Sequence, residues 1–330
     1  MTQTGVLTKV RTLRFAALGT EVLVCSPAAD ELAGDVRSLV EEYEERFSRF
    51  RPSSELERLS ARTGEEVAVS EDLFEVLELA MGFWRETAGL FDPLVRAQLE
   101  AAGYDRSFDL VPRSRPEPAP PPTPGRRPTF GEVRLDAGRR TVRLPRGGRL
   151  DLGGIAKGWI IDRLVRRLAP YGPFLADIGG DVAARGDGPD GGPGWLIGVA
   201  DPFRPEEDRC WMRLRDGTVA TSTVMRRRWQ RAGHWLHHLI DPRTGSPART
   251  ALVQATVVAP TATAADVYAK TAIILGRERA FDWLARRSLP ALLVTPAEAV
   301  GTSRWHGFEV PIGVGPGRGG ETCPEESRLW

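Results

Sequence analysis

The sequence predicts an α+β domain. Three observations carry that expectation: many short strand-like runs follow one another, helical stretches fall in groups between them, and no strand–helix–strand unit repeats at a regular interval. The 330 residues are 41% apolar and 27% charged, which excludes collagen-like and wholly disordered chains. A chain of this length fits one large domain, so 1–330 is read as a single unit.

The first strand is expected at Phe15–Val24, broken by Gly19. A helix is expected over Glu31–Phe50, where Leu32, Val36, Leu39, Val40, Tyr43, Phe47 and Phe50 recur at three- and four-residue steps and Pro52 stops the run. A second helix, Glu71–Thr87, has Ser70 as its cap, acids in its first turn and Gly89 beyond its end. Residues 112–128 hold eight prolines and read as a solvated loop, not as helix or central strand. Strands follow at Glu132–Leu135, Thr141–Leu144 and Arg149–Leu152, then a helix at Lys157–Leu168. Further strands are expected near Phe174–Ile178, Trp195–Val199, Cys210–Leu214, Val219–Thr221, His237–Ile240 and Leu252–Val258. Helices at Ala262–Leu275 and Arg277–Arg287 and strands at Ala291–Thr295 and Glu309–Ile312 complete the domain, with 313–330 as a flexible tail.

Lys plus Arg (45) nearly cancels Asp plus Glu (44), so the net charge of +1 gives no electrostatic case for a nucleic-acid or membrane-surface protein. Cys25, Cys210 and Cys323 are scattered and odd in number, which argues against a disulfide framework or a zinc site. The first 25 residues lack an apolar core of signal-peptide length, and no run of about 18 apolar residues occurs. A cytoplasmic protein without membrane insertion is expected. Only Lys9, Lys157 and Lys270 are lysine, so a lysine inside a motif stands out against the arginines.

Five stretches have the residue types for chemistry. In Leu150-Asp151-Leu152-Gly153-Gly154-Ile155-Ala156-Lys157-Gly158 a strand enters a glycine-rich turn that opens a helix. Such a corner either offers amides and an ammonium to an anion or is merely structural. Ala176-Asp177-Ile178-Gly179-Gly180-Asp181 pairs glycines after a strand, as a turn or a close approach of backbone to ligand. His237-His238-Leu239-Ile240-Asp241-Pro242-Arg243-Thr244-Gly245 ends in turn chemistry, and strand alternation prevents His234, His237 and His238 from converging on a metal. In Thr261–Thr271, Asp266 and Lys270 share one helix face among small apolar residues, as a surface ion pair or a covered functional one. Thr221-Ser222-Thr223 beside Arg226, Arg227 and Arg228 reads as a phosphate site or a solvated edge. The C-terminal Gly315-Pro316-Gly317-Arg318-Gly319-Gly320 fits a dinucleotide fingerprint but leaves no room for the helix that must follow.

Taken in order, these stretches resemble the ApbE family of FAD:protein FMN transferases. Leu18-Gly19-Thr20 is similar to the family's Met-Gly-Thr, and Phe47–Leu56 to its Phe-Ser-x-Tyr-x-x-x-Ser-x-Leu segment. Gly89–Pro93 and Gly103–Asp105 match another family segment. The Asp-Leu-Gly-Gly-Ile-Ala-Lys-Gly, Gly-Gly-Asp, Ala-Thr-Ser, His-x-Ile-Asp-Pro-x-Thr-Gly and Ala-Asp stretches match the rest.

The resemblance implies mixed and antiparallel sheets packed with helices around an FAD cleft. It implies transfer of FMN from FAD to a threonine hydroxyl of an acceptor protein, with release of AMP and magnesium on the diphosphate. By position, Asp151 and Lys157 contact FAD, while Leu18, Phe50, Leu90, Phe91, Asp92 and Ile240 line the flavin or adenine pocket. The Gly154 carbonyl and Asp266 become metal ligands, and His238 orients or deprotonates the acceptor hydroxyl. The alternatives are an FAD pyrophosphatase yielding FMN and AMP, or a non-catalytic FAD-binding protein.

The chain departs from the family in several places, one being the lack of the usual export or lipid signal, which implies an acceptor in the cytoplasm or on a membrane's inner face. Lys270 stands where the family has a metal-ligating threonine, and an ammonium has no lone pair for a cation. Thr271 lies about 100° further round the helix and is a poor substitute. The expectation is a site in which Lys270, partnered by Asp266, supplies charge and magnesium dependence is weak. Thr223 replaces the usual glycine after Ala-Thr-Ser, and Leu18 replaces methionine.

Overall fold

The computed structural model describes residues 10–118, 127–310 and 328–329. Its centre is an eight-stranded sheet: β1 (Arg11–Ala17), β2 (Thr20–Ser26), β3 (Phe174–Ile178), β4 (Asp181–Arg185), β5 (Gly217–Thr223), β6 (Gln254–Ala259), β7 (Ala291–Val294) and β8 (Ala299–Gly301). Spatial order follows chain order, and every neighbouring pair is antiparallel. The arrangement is the α+β architecture expected from the sequence.

Alternation along the strands feeds two cores. Val22 and Val24 of β2 and Phe174, Ala176 and Ile178 of β3 face one core, shared with α1 (Ala33–Phe47), α2 (Glu55–Ser60), α3 (Glu71–Glu86) and α5 (Ala156–Leu168). Leu23, Cys25 and Leu175 face the other, closed by Trp195, Ile197, Val199, Met212 and Leu214 of a second sheet. That sheet contains Trp195–Ala200, Asp208–Leu214, Glu309–Val310 and Arg328–Leu329. The short α4 (Arg96–Ala102) precedes the proline-rich segment, and α6 (Ala262–Leu275) and α7 (Arg277–Arg286) share a third apolar cluster with β6 and β7.

Helices α5 and α6 are clamped together. Asp162 of α5 accepts hydrogen bonds from the amides of Ala262 (2.8 Å) and Thr263 (3.0 Å) at the start of α6. Thr261 caps the same helix through the Ala264 amide. Gly158 allows the approach, since a methyl there would lie 2.5 Å from the Ala262 carbonyl oxygen. This clamp sets the relation between Lys157 on α5 and Lys270 on α6.

Several expected elements differ in detail. Phe15–Val24 is a hairpin whose two-residue turn, Leu18-Gly19, has φ of +57° and +65°. The first helix ends at Phe47, because Ser48 is extended and carries Arg49 and Phe50 away from the helix axis. Arg149–Leu152 forms no strand; the Asp151 amide donates to the Pro93 carbonyl (2.8 Å) instead of to a neighbouring strand. His237–Ile240 divides between two short strands, His234–His237 and Ile240–Asp241. Within the proline-rich loop, Ser114–Arg115 pair in parallel with Gln230 and Arg231; 119–126 lie outside the described residues. So does the expected tail, apart from Arg328–Leu329, which pair with Gly198 and Val199. Among the described residues no helix is long and apolar enough to cross a membrane.

Candidate active site

Two cavities meet beneath the β1–β2 turn. The first, about 430 Å³, is lined largely by apolar and aromatic side chains. Leu18, Phe50, Leu90, Phe91, Asp92, Asp151, Gly154, Lys157, His238, Ile240 and Lys270 all line it. Asp266 does not; it is 1% exposed and lies behind Lys270. The second, about 480 Å³, is polar and framed by Thr20, Glu21, Asp177, Gly179, Gly180, Thr221, Ser222, Thr223 and Arg226. Lys157, Arg227, His238 and Lys270 line both, so three cationic side chains and an imidazole sit where the cavities join.

Leu18 owes its position to the turn, whose positive φ is unusual for a branched side chain. Phe91 is set by the Thr87 hydroxyl, which accepts its amide at 3.0 Å. Asp92 has both carboxylate oxygens engaged, by the amides of Leu94 (2.8 Å) and Phe130 (3.2 Å). Burial raises its pKa, and those amides oppose the shift. Asp92 lies in the cavity wall, where these bonds make it a tie between loops.

Asp151 accepts from the Gly153 amide at 2.6 Å and pairs with Arg49 at 2.8 Å. Helix α5 starts just beyond, at Ala156, with no capping side chain, so its leading end is open to an anion. Lys157 forms an ion pair with Asp181, which is 1% exposed. Lys270 forms one with Asp266 in the same way. Burial, then the charge of Lys157, pulls the Lys270 ammonium down to about 7, and Asp181 opposes this. His238 is half-buried, its Nδ1 has no partner among the described residues, and its pKa lies well below 6.5. Burial is the main cause, followed by Arg227, His237 and Lys270. The ring is therefore neutral at pH 7.

The other histidines lie elsewhere. His237 Nε2 meets the Ala248 carbonyl at 3.0 Å, and His234 is exposed. The Thr221–Thr223 stretch is no solvated edge. It is buried in β5, with Thr221 bonded to Thr256 (2.9 Å) and Thr223 to the Val253 carbonyl (2.9 Å).

Sequence reasoning missed Arg49, Tyr104, Phe108, Asp181 and the placement of Arg227. Arg49 is 7% exposed, stacks on Phe50 (4.2 Å) and Tyr104 (4.5 Å), and donates to the Tyr104 carbonyl (3.0 Å). It lies inside the Phe47–Leu56 segment, yet nothing separates one arginine from the rest in a chain where arginine supplies nearly all the positive charge.

A magnesium ion on Gly154 and Asp266 does not fit these donors. Asp266 Oδ2 is a buried oxygen without a partner among the described residues, as a ligand would be. Its other oxygen is held by Lys270, which stands between the carboxylate and both cavities. The Thr271 hydroxyl is engaged by the Val267 carbonyl at 2.8 Å. Magnesium needs near-octahedral oxygen donors, and an ammonium in that shell repels it.

Comparison with known proteins identifies the family and the fold. The ApbE family pattern matches residues 12–293. An FAD:protein FMN transferase of Treponema pallidum is 32% identical over 301 residues, 84% of this chain and 81% of that protein. One from Haemophilus influenzae is 25% identical over 307 residues, 87% of each chain. The crystal structure of the ApbE protein from Thermotoga maritima superposes with a TM-score of 0.80 at 26% identity, covering 92% of this chain and all of that one. A family match over most of the chain, and the same fold in the solved structure, lead to one assignment: this chain belongs to the ApbE family.

Proposed function

We propose that the protein transfers FMN from FAD to a threonine hydroxyl of an acceptor protein and releases AMP. The observation that carries the reading is the junction of an aromatic-lined cavity with a polar one at Lys157, Arg227, His238 and Lys270. The first cavity takes the dinucleotide, with its ring systems against Phe50, Phe91 and Tyr104. The diphosphate then rests at the cationic junction. The second cavity admits the acceptor segment, and its polar frame of Thr221, Ser222, Asp177 and Arg226 suits an extended peptide.

The reaction balances simply. The threonine oxygen attacks the FMN phosphorus, and the bond from that phosphorus to the bridging oxygen breaks. AMP leaves with the bridging oxygen, and the hydroxyl proton passes to neutral His238. Negative charge grows on the phosphoryl oxygens, where Lys157, Lys270 and Arg227 stabilise it. Apolar walls around the flavin strengthen these interactions by excluding water.

The test is to incubate the protein with FAD, with and without a threonine-containing acceptor protein, and to follow nucleotides by chromatography and acceptor mass by spectrometry. AMP release that requires acceptor, with one FMN gained per acceptor, is the expected result. AMP with free FMN in the absence of acceptor means a pyrophosphatase. Intact FAD with every acceptor means a binding protein.

A further inference from the structure

We propose that in this chain the Lys270 ammonium replaces the divalent cation: held from behind by Asp266, it is the charge on which the substrate diphosphate rests, and FAD binding needs no metal. The inference rests on the reading of FAD as substrate.

The site repeats one device twice. Lys157 is backed by Asp181, and Lys270 is backed by Asp266. In each pair the aspartate side chain is 1% exposed and lines neither cavity, while the lysine lines both. Each carboxylate is thus a counter-ion behind the wall, and each ammonium faces inward. The two helices that carry the lysines are the pair clamped through Asp162 and Gly158. The diphosphate of a dinucleotide carries one negative charge on each of its two phosphoryl groups, and the two ammonium groups supply one positive charge for each, with Arg227 beside them.

Lysine is the right residue for this position. Its compact ammonium on an unbranched stem can occupy an ion-sized place, which a planar guanidinium cannot. Arginine supplies nearly all the other cations of this sequence, yet lysine occurs at both of these points. The stem of Lys270 crosses Gly154, where an added methyl would lie 3.4 Å from its Cδ and 3.2 Å from Phe91. Gly154 is therefore the floor over which the lysine passes, and its small size keeps that path open.

The experiment is FAD binding by flavin fluorescence, in a chelator and in excess magnesium, for the wild-type chain and for Lys270→Thr. The wild-type dissociation constant is expected to agree within about threefold between the two conditions, a difference of well under one power of ten. Lys270→Thr is expected to bind at least about tenfold more weakly in chelator and to regain affinity with magnesium. A wild-type affinity that rises tenfold or more with magnesium overturns the inference. So does Lys270→Thr binding as tightly as wild type in chelator. The wild-type arm needs no variant and decides by itself. Failure to bind FAD under either condition overturns both the inference and the function it rests on, whereas binding that requires magnesium overturns the inference alone.

Discussion

Arg49 reaches Asp151 at 2.8 Å and joins the segment leaving α1 to the turn that opens α5. Both side chains are nearly buried, at 5% and 11% exposure, and the same guanidinium stacks against Phe50 and Tyr104. One residue therefore holds an aromatic wall and the glycine corner in register. Arg49→Met keeps much of the volume and leaves the Asp151 carboxylate without its cation. The expected loss of stability is about 3 kcal/mol, the usual result of breaking a buried pair from one side. Chemical denaturation measures it, and FAD binding weakens in parallel. Asp151→Asn breaks the pair from the other side: its amide oxygen still accepts from Gly153, but the buried guanidinium loses its counter-ion, so a destabilisation is expected here too.

His238 is the base in the proposed reaction, and its neutral state at pH 7 makes it ready to accept a proton. Its pKa lies well below 6.5, so the fall in activity that belongs to His238 is expected in buffer more acidic than pH 6.5, apart from any change near pH 7, where Lys270 and Asp177 titrate. His238→Gln is expected to lower kcat by about 10²- to 10⁴-fold. The acidic limb of the pH–rate curve disappears with it, while the FAD dissociation constant changes little. Steady-state rates across pH with a saturating acceptor check this. A variant that retains the acidic limb would assign the proton to another group.

Gly158 lets α5 and α6 touch, and Gly158→Ala tests the clamp. The new methyl would lie 2.5 Å from the Ala262 carbonyl oxygen and 2.7 Å from Thr263 Cα, both of them backbone atoms. The helices must separate, at an expected cost of about 1–3 kcal/mol. Separation also shifts Lys157 relative to Lys270. Thermal unfolding and FAD binding are therefore expected to worsen together, although residue 158 lines neither cavity.

Local physics explains what the sequence disclosed. The exact bounds of α6 were legible because Thr261 caps it and Gly276 ends it, and those of β3 because four of its five residues are apolar in a strand buried on both faces. The cavity-lining residues were legible through family motifs, which are runs of neighbours in sequence. Pairings across the chain were not. Nothing near Lys157 announces Asp181, and nothing near Asp151 announces Arg49. Helices α2 and α4 escaped notice because six or seven residues are too few to show a period. Arg149–Leu152 misled for the opposite reason: its alternating apolar residues are buried, but by loops and helices, without a partner strand.

Asp177 makes stability depend on pH in an unusual direction. Its carboxyl is buried in the wall of the second cavity and accepts from the Gly180 amide at 2.7 Å. Burial, aided by the negative charge of Asp181 and opposed by the Gly180 amide and Lys157, raises its pKa to about 7. An unfolded aspartate titrates near 3.9, so between these values the folded chain holds a proton that the unfolded chain has lost. Ionisation therefore destabilises the fold: the effect is absent below about pH 4, grows through pH 7, and is complete above it. Asp177→Asn keeps the acceptor for Gly180 and removes the charge. It is expected to be more stable than wild type at pH 8 by about 1–2 kcal/mol, below the ceiling of about 4 kcal/mol set by the full shift, because the cavity admits water. At pH 4 the two proteins should unfold together. Melting curves at the two pH values measure the difference, and an equal gap at both would assign it to packing instead of to the carboxylate.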